Sequence, residues 1–259
     1  MAGLFYPDDP AVLRKEVESA LDEARRSGPE GGASGHPRAV IAPHAGYVYS
    51  GPVAASAYAR VGASSEPIRR VVLAGPAHRV PLGAVALSGA DAFASPLGNV
   101  TVDDGLRSLA LSMPEVVIAD EAHAREHSLE VHLPFLRVTL GEVTVLPMLV
   151  GEVAAETAAD VLDVLFGVPE TLVVVSTDLS HYRDYETASA LDRATSAAIV
   201  ACQPDEVGLT RACGVFALRG LLESARRHDL SVQLVDLRNS GDTTGPRDQV
   251  VGYGSFVLS

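Results

Sequence analysis

Residues 170–178 read ETLVVVSTD, an apolar run that ends in the polar residues Ser176, Thr177 and Asp178. No polar residue alternates with the apolar ones, so the run predicts a strand that is buried on both faces. Residues 154–167 just before it, AAETAADVLDVLFG, have apolar side chains at helical spacing. A helix that leads directly into a doubly buried strand is typical of an α/β protein.

The same alternation of strands and helices extends along the whole chain. Apolar runs predict further strands at 38–42, 68–75, 83–89, 115–120, 143–151, 231–241 and 248–259. Helical spacing predicts helices at 51–61, 103–113, 185–202, 214–229 and in part of 129–140. No linker and no internal repeat interrupts this order. We therefore predict one α/β domain over residues 1–259, with a mixed, mostly parallel central sheet flanked by helices.

Another helix is predicted near the start of the chain, because apolar residues recur there at helical spacing. Asp8 or Asp9 can cap this helix, and Pro10 suits its first turn. Gly28 is expected to end it. The Gly-, Ser- and Pro-rich residues 28–37 are then predicted to form a loop.

Composition excludes several classes of protein. Of the 259 residues, 47% are hydrophobic and 20% are charged, so a substantial core can form. The net charge of −13 repels nucleic acids and anionic lipids, so we expect no nucleic-acid partner. The first residues, MAGLFYPDDP, do not resemble a signal peptide, and no apolar run is long enough to span a membrane. With only two cysteines and no disulfide framework, the chain is expected to be cytoplasmic, with no membrane association.

Three of the predicted strands end in side chains that can do chemistry. His44 follows the first of them, His78 the second, and Asp178 and His181 follow the strand at 170–178. In an open α/β sheet the carboxyl ends of parallel strands form one edge, where ligands bind. Histidines and a carboxylate that meet there suit a metal site or acid–base catalysis. The alternatives are that the histidines are ordinary turn residues and that Asp178 caps a helix after its strand.

A second concentration of such residues lies in the segment EHSLEVH, which contains His127, Glu130 and His132 and follows His123. It resembles the zinc-peptidase pattern H-x-x-E-H but is one residue too long. On a helix His127 and His132 would point apart, so a zinc peptidase is disfavoured. His127 and Glu130 can share a helix face, where they would line a pocket or orient metal ligands. For His123 and His132 a solvated or packing role is favoured.

The two cysteines have different settings. Cys213 lies between a polar turn and the helix predicted at 214–229, and a helix N-terminus favours a thiolate. A purely structural role for Cys213 is the alternative. Cys202, inside SAAIVACQP, has the setting of a small buried apolar residue. The glycine-bearing loop at 238–255 matches no phosphate-binding motif, and the chain has no G-x-S-x-G serine-hydrolase motif.

Six ordered sequence blocks carry a resemblance to a known family. They are APHAGYVYSGPVAASAY, GPAHR, EHSLEVHLPFL, STDLSHY, CG at Cys213, and NSGD with VVGYGSF near the end. On these blocks, which extend over nearly the whole chain, the protein resembles the Memo family. Bacterial and archaeal members of that family are called AmmeMemoRadiSam system protein B. The family fold is similar to that of LigB-like class III extradiol dioxygenases, non-haem Fe(II) enzymes that open catechol rings with O₂.

The resemblance implies roles for individual residues. His44 and His78 match the two histidine ligands of the dioxygenase metal site. His181 matches the histidine that acts there as acid and base, and Asp178 matches a pocket aspartate of the family. Cys213 stands where the dioxygenases have a glutamate ligand.

This cysteine changes the chemistry that the resemblance implies. Two histidines and a carboxylate leave open positions on Fe(II) for O₂ and substrate, whereas a thiolate makes the site softer and more oxidisable. The implied cofactor is Fe(II) or a copper ion, and zinc is also compatible. The implied function is that of a metal-binding, oxidoreductase-like protein whose reaction is unknown. Tyr47 is expected to line the cleft or to pack beneath it.

Two other functions fit the same sequence. In the first, the cleft has lost catalysis and binds a peptide, a small molecule or AmmeMemoRadiSam partner proteins, a radical-SAM protein among them. In the second, Cys213 acts as a redox or thiol residue without a metal. Protein that is free of metal would favour the first alternative over a metal site. Trapping the Cys213 thiolate with an alkylating agent would distinguish a reactive thiol from a metal ligand.

Overall fold

The computed structural model describes residues 1–27 and 36–259. Most of the loop predicted at 28–37, including Gly28, lies outside the described residues. The strands are β1 Ala39–Ala42, β2 Arg70–Gly75, β3 Val85–Leu87, β4 Ala92–Phe93, β5 Val100–Thr101, β6 Val116–Ile118, β7 Thr144–Val150, β8 Thr171–Ser176, β9 His181–Arg183, β10 Val232–Asn239 and β11 Val250–Leu258. The helices are α1 Pro10–Ser27, α2 Tyr47–Gly62, α3 Asp104–Ala110, α4 Asp120–His123, α5 Leu133–Leu140, α6 Ala155–Phe166, α7 Tyr185–Val200, α8 Val215–Arg227 and α9 Ser240–Thr243. Two 3-10 turns lie at Glu130–His132 and Pro204–Glu206.

A mixed sheet forms the centre of the described part of the chain. Its strand order is β10-β11-β1-β8-β2-β7-β3-β6, and β9 pairs with β11. The central strands β1, β8, β2 and β7 are parallel to one another. At the two sides of this group, β11 and β3 are antiparallel to their neighbours β1 and β7. The predicted α/β fold with a mixed, mostly parallel sheet is confirmed.

Helices cover both faces of this sheet. In β8, Val173 and Val175 pack on one face in a core that includes α6 and α8. Leu172 and Val174 pack on the other face in a core that includes α1, α2 and α5. All four side chains are fully buried, and each buried Val or Leu contributes about 1.5–3 kcal/mol. The run in β8 is unbroken because both of its faces belong to a core.

Most predicted elements are present with shifted ends. The helix predicted at 51–61 begins four residues earlier, at Tyr47, so that Pro52 lies inside it. The short strands β4, β5 and β9 were not predicted, because two or three residues carry no measurable periodicity. The loop predicted between the last two strands contains helix α9. The side chains of Asn239 and Asp242 form a capping box at the N-terminus of this helix.

Helix α1 begins at a side-chain cap. The Asp9 carboxylate accepts hydrogen bonds at 2.9 Å from the backbone N–H groups of Ala11 and Val12. Pro10 is the first helical residue, as predicted, and Asp9 is the cap of the two candidates. None of the helices in the described ranges, α1 included, has both the length and the apolar composition that a bilayer span requires.

Candidate metal centre

Three adjacent strands bring the predicted site residues to one edge of the sheet. β8 lies between β1 and β2 and runs parallel to both. The turn after β1 carries His44, the turn after β2 carries His78, and the turn after β8 carries Asp178. Residues that are distant in the chain therefore meet at the carboxyl ends of these strands, the usual position of a ligand site in such sheets.

His44, His78 and Cys213 form a compact group of potential metal ligands. One ligand atom of each lies within 4.8 Å of the ligand atoms of the other two. His44 Nε2 is 3.3 Å from Cys213 Sγ, and the ring centroids of His44 and His78 are 5.2 Å apart. His44 is buried, whereas the side chain of His78 is 29% exposed. Solvent therefore reaches the group from the side of His78.

Backbone hydrogen bonds hold Cys213 beside the turn after β8. The N–H of Asp178 donates to Cys213 Sγ at 3.1 Å, and the N–H of Cys213 donates to the Asp178 carbonyl at 3.1 Å. The next residue is Gly214, where a β-carbon would lie only 2.5 Å from the carbonyl oxygen of Ser176. The absence of a side chain at Gly214 thus allows the two segments to approach so closely.

The thiol of Cys213 is protonated in the metal-free protein. Burial raises its pKa well above the usual range, the nearby Asp178 carboxylate raises it further, and hydrogen bonds lower it only in part. Helix α8 begins two residues later, at Val215, and its N-terminus, which favours a thiolate, does not outweigh the effect of burial on the pKa. A metal ion would therefore have to displace the thiol proton.

Glu126 connects His78 to His127. Its Oε1 lies 2.9 Å from His78 Nδ1 and 3.1 Å from His127 Nδ1, and its Oε2 accepts from the His78 N–H at 2.6 Å. The N–H groups of His127 and Ser128 also donate to Oε1. Burial alone would raise the pKa of Glu126, but the hydrogen bonds hold it well below its usual range. The ionised carboxylate therefore orients both imidazoles.

Helical spacing in the sequence indicates Glu130 and not Glu126. Residues 124–129, however, form turns and irregular backbone. The available signal was the position of Glu126 directly before His127. Together with His78 and His127, Glu126 also lies close enough to hold an ion. Its oxygens are already occupied by N–H donors, however, so an orienting role describes it better.

His127 lies in the wall of the site. Its ring centroid is 4.8 Å from that of His78 and 5.4 Å from that of His44. The ring of Phe5 covers it at 4.4 Å, so the start of the chain contributes to this wall.

Glu130 and Tyr47 have partners outside the histidine cluster. Glu130 accepts a hydrogen bond from the hydroxyl of Tyr6 at 2.5 Å. Tyr47 donates to the Val131 carbonyl at 2.6 Å, and its buried ring packs against that of Tyr6. Of the two roles expected for Tyr47, lining the cleft or packing, this contact matches packing.

Asp178 positions the turn that carries His44. Its Oδ1 accepts from the His44 backbone N–H at 2.8 Å. The alternative that Asp178 caps a helix is wrong, because the next helix, α7, begins later and is capped by Asp184. Burial raises the pKa of Asp178 above its usual range.

His181 belongs to the same electrostatic group. Its Nδ1 lies 2.8 Å from the Leu179 carbonyl, which can only accept, so Nδ1 is the donor, and Nε2 makes no hydrogen bond with the described part of the chain. The pKa of His44 lies well below its usual range, chiefly because His44 is buried, and then because His78, His127 and His181 are close to it. A neutral imidazole results at His44.

A chain of buried polar groups leads from His44 into the core. Ser176 Oγ lies 2.6 Å from His44 Nδ1 and 2.9 Å from His132 Nε2, and it donates to the Ser128 carbonyl at 2.6 Å. The hydroxyl of Tyr58 lies 3.0 Å from His132 Nδ1. Burial lowers the pKa of His132 to about 3, so this histidine is neutral. It packs in the core and also contacts the site through Ser176.

Comparisons with known proteins identify the family. The family described as Memo-like protein matches residues 1–257. A MEMO1 family protein of Methanothermobacter thermautotrophicus is 34% identical over 98% of this chain and 96% of its own length. Another, from Aquifex aeolicus, is 35% identical over 100% of this chain and 97% of its own length. The chain belongs to the Memo family.

A solved structure of an uncharacterized protein from Escherichia coli K12 is similar to this Memo-family protein. The TM-score is 0.54 at 13% sequence identity, and the match covers 85% of this chain and 99% of that chain. At this identity the likeness concerns the fold alone.

The donor set of this Memo-family protein fits a transition-metal ion. Imidazole and thiolate ligands suit iron, copper and zinc rather than magnesium or calcium. A tetrahedral ion bound to one nitrogen and one sulfur holds these atoms about 3.5 Å apart. The distance between His44 Nε2 and Cys213 Sγ, 3.3 Å, is close to that value. Ser176 and Glu126 contact the Nδ1 atoms of His44 and His78, which leaves both Nε2 atoms for an ion.

Proposed function

We propose that this Memo-family protein binds one iron or copper ion, with zinc also compatible, through His44, His78 and Cys213. The observation that carries the proposal is the convergence of three ligand atoms from three separate turns within 4.8 Å. A histidine ligand must be neutral, and burial keeps His44 neutral by lowering its pKa.

The ion supplies redox or Lewis-acid chemistry, and the chain supplies the acid–base groups around it. His181 is the proposed catalytic acid and base, because its Nε2 is free to exchange a proton with a bound molecule. Asp178 is the second catalytic residue and also holds the backbone of His44. His127, oriented by Glu126, lines the pocket for a small-molecule substrate that enters beside His78.

These roles make the protein a metal-dependent, oxidoreductase-like enzyme related to the dioxygenases. Cys213 in place of a carboxylate ligand gives a softer and more easily oxidised site than that of a ring-cleaving enzyme. An oxidisable thiol of this kind suits a reducing compartment, so the proposed location is the cytoplasm.

Metal content after anaerobic purification tests the ligand set. The wild-type protein should retain iron or copper in stoichiometric amount, and His44→Ala and Cys213→Ser should each lose most of it. Cys202→Ser is the matched control, because the Cys202 thiol lies near the Leu230 carbonyl instead of the histidines. Equal metal content in the wild type and both ligand variants refutes the proposal.

One alternative is a binding module that works without a metal. Such a module would take a peptide, a small molecule or an AmmeMemoRadiSam partner such as a radical-SAM protein into the cleft. A pull-down with the wild type, His44→Ala and Cys213→Ser separates the two functions. Recovery of the same radical-SAM partner by all three, from protein that holds no metal, supports the binding module.

A further inference from the structure

Ser176 has all of its hydrogen-bonding capacity in use. A serine hydroxyl offers one proton and two lone pairs. The Oγ of Ser176 lies 2.6 Å from the carbonyl oxygen of Ser128, 2.6 Å from His44 Nδ1 and 2.9 Å from His132 Nε2. Three partners therefore surround a group that makes three hydrogen bonds.

The carbonyl oxygen decides the direction of each bond. It carries no proton, so the proton between it and the hydroxyl of Ser176 must come from the hydroxyl. With that proton used, the Oγ atom can only accept from the two imidazoles. His44 therefore carries its proton on Nδ1, and His132 carries its proton on Nε2.

The same assignment of protons also satisfies the groups at both ends of this series of hydrogen bonds, Tyr58 and Cys213. The neutral His132 has a lone pair on Nδ1, which accepts from the hydroxyl of Tyr58 at 3.0 Å. At the other end, His44 has a lone pair on Nε2, 3.3 Å from Cys213 Sγ. A thiol at Cys213 lies within reach to donate to this lone pair. Each polar side chain from Tyr58 to Cys213 thus has a donor opposite an acceptor.

We propose that Ser176 is a positioning residue that fixes the His44 proton on Nδ1 and so presents the Nε2 lone pair beside Cys213. Ser176 acts through His44 and does not itself face the candidate metal centre. His132 occupies the remaining lone pair of Ser176, and Tyr58 in turn holds His132. The tautomers follow from the hydrogen bonds of two neutral imidazoles, whereas the consequence for metal affinity rests on the proposed function.

The network is costly to disturb because it is buried. His44, Ser176, His132 and Tyr58 are each at most 2% exposed. In such surroundings an unpaired polar group loses its hydrogen bond without gaining one from water. Removing the Ser176 hydroxyl would leave both imidazole N–H groups without their acceptor. His44 would then be free to adopt the other tautomer, which blocks Nε2 with a proton.

Nitrogen-15 NMR of the histidine side chains in the metal-free wild type measures the tautomers directly. We expect a protonated Nδ1 and a bare Nε2 at His44, and the opposite arrangement at His132. The signals are assigned by their loss in His44→Gln and His132→Gln. A protonated Nε2 at His44 overturns the inference, whatever the metal affinity. This measurement requires no Ser176 variant to fold.

Substitution of the serine tests the consequence for the metal. Ser176→Ala should give a mixture of His44 tautomers and weaken Co(II) binding about 10- to 100-fold, the usual effect of losing a group that orients a ligand. Ser255→Ala is the matched control, because the Ser255 hydroxyl is equally buried and donates to the carbonyl of Val53. It should change neither the tautomer nor the affinity.

The outcomes separate the two proposals. A folded Ser176→Ala protein with wild-type tautomers and wild-type Co(II) affinity overturns the role of Ser176. A wild-type protein that holds no iron or copper after anaerobic purification and binds no Co(II) refutes the proposed function, and the tautomers of the wild type then still decide the inference.

Discussion

Replacement of His132 by glutamine should make the stability of the protein less sensitive to acid. Burial lowers the pKa of His132 from its ordinary 6.5 to about 3 in the folded state. Below pH 6.5 His132 binds a proton in the unfolded chain, whereas in the folded chain it stays neutral until the pH approaches 3. The stability that His132 maintains at pH 7 is therefore lost progressively as the pH falls from 6.5 towards 3. Glutamine has no titrating group and removes this loss.

The size of the effect follows from the shift in pKa. One pKa unit corresponds to about 1.36 kcal/mol, so at pH 5 the wild type should have lost about 2 kcal/mol through His132. At pH 7 the variant is the less stable protein, because the amide of glutamine does not reproduce both hydrogen bonds that the imidazole makes to Tyr58 and Ser176, at a cost of about 1–2 kcal/mol. The two effects offset each other near pH 5, where we expect similar stability.

Urea unfolding between pH 5 and pH 7 measures this difference. His228→Gln is the control, because His228 is a surface histidine at the end of α8, where substitutions usually stay within about 0.5 kcal/mol. A free-energy difference between wild type and His132→Gln that stays constant across this pH range refutes the description of His132 as a buried neutral group.

Two further predictions concern stability. Glu126→Gln should lower the free energy of unfolding by about 3 kcal/mol, since an amide NH₂ group would face a backbone or imidazole donor such as that of His78. Thermal unfolding measures this loss of stability, and Glu121→Gln, at an exposed position, is the control. A loss in Glu126→Gln no larger than that in Glu121→Gln contradicts the role given to the Glu126 hydrogen bonds. Gly220→Ala should destabilise by about 1–3 kcal/mol despite better helix propensity, because its β-carbon would lie 2.4 Å from that of Ala158. Chemical denaturation should show that adding Ala158→Gly to Gly220→Ala restores part of the free energy of unfolding. A double variant as unstable as Gly220→Ala alone would disprove the steric cause.

The fold was predictable from the sequence where the burial of an element produces a recognisable pattern of apolar residues. The unbroken apolar run of β8 indicates a strand with a core on each face, and the structure has that arrangement. The order of strands was not predictable, because periodicity reports how a strand is buried but not which strand lies beside it. The insertion of β8 between β1 and β2 is such a case.

The site was predictable to the extent that it follows from strand ends. His44, His78 and Asp178 each follow a strand, and the structure brings them to one edge. Glu126 was missed because its segment is irregular, so helical spacing directed attention to Glu130. For Cys213 the sequence shows the helix N-terminus that favours a thiolate, but it does not show the burial of the thiol or the Asp178 carboxylate beside it, both of which raise its pKa.

The position of β8 also determines when the site comes into existence during synthesis. β1 and β2 leave the ribosome first, yet they are not neighbours, and the place between them is filled only by a strand made much later. Cys213 follows later still, 169 positions after His44. Contacts this distant in sequence form slowly. A nascent chain that has already exposed both histidines still lacks Cys213, so the three proposed ligands can come together only after most of the protein has been made and folded.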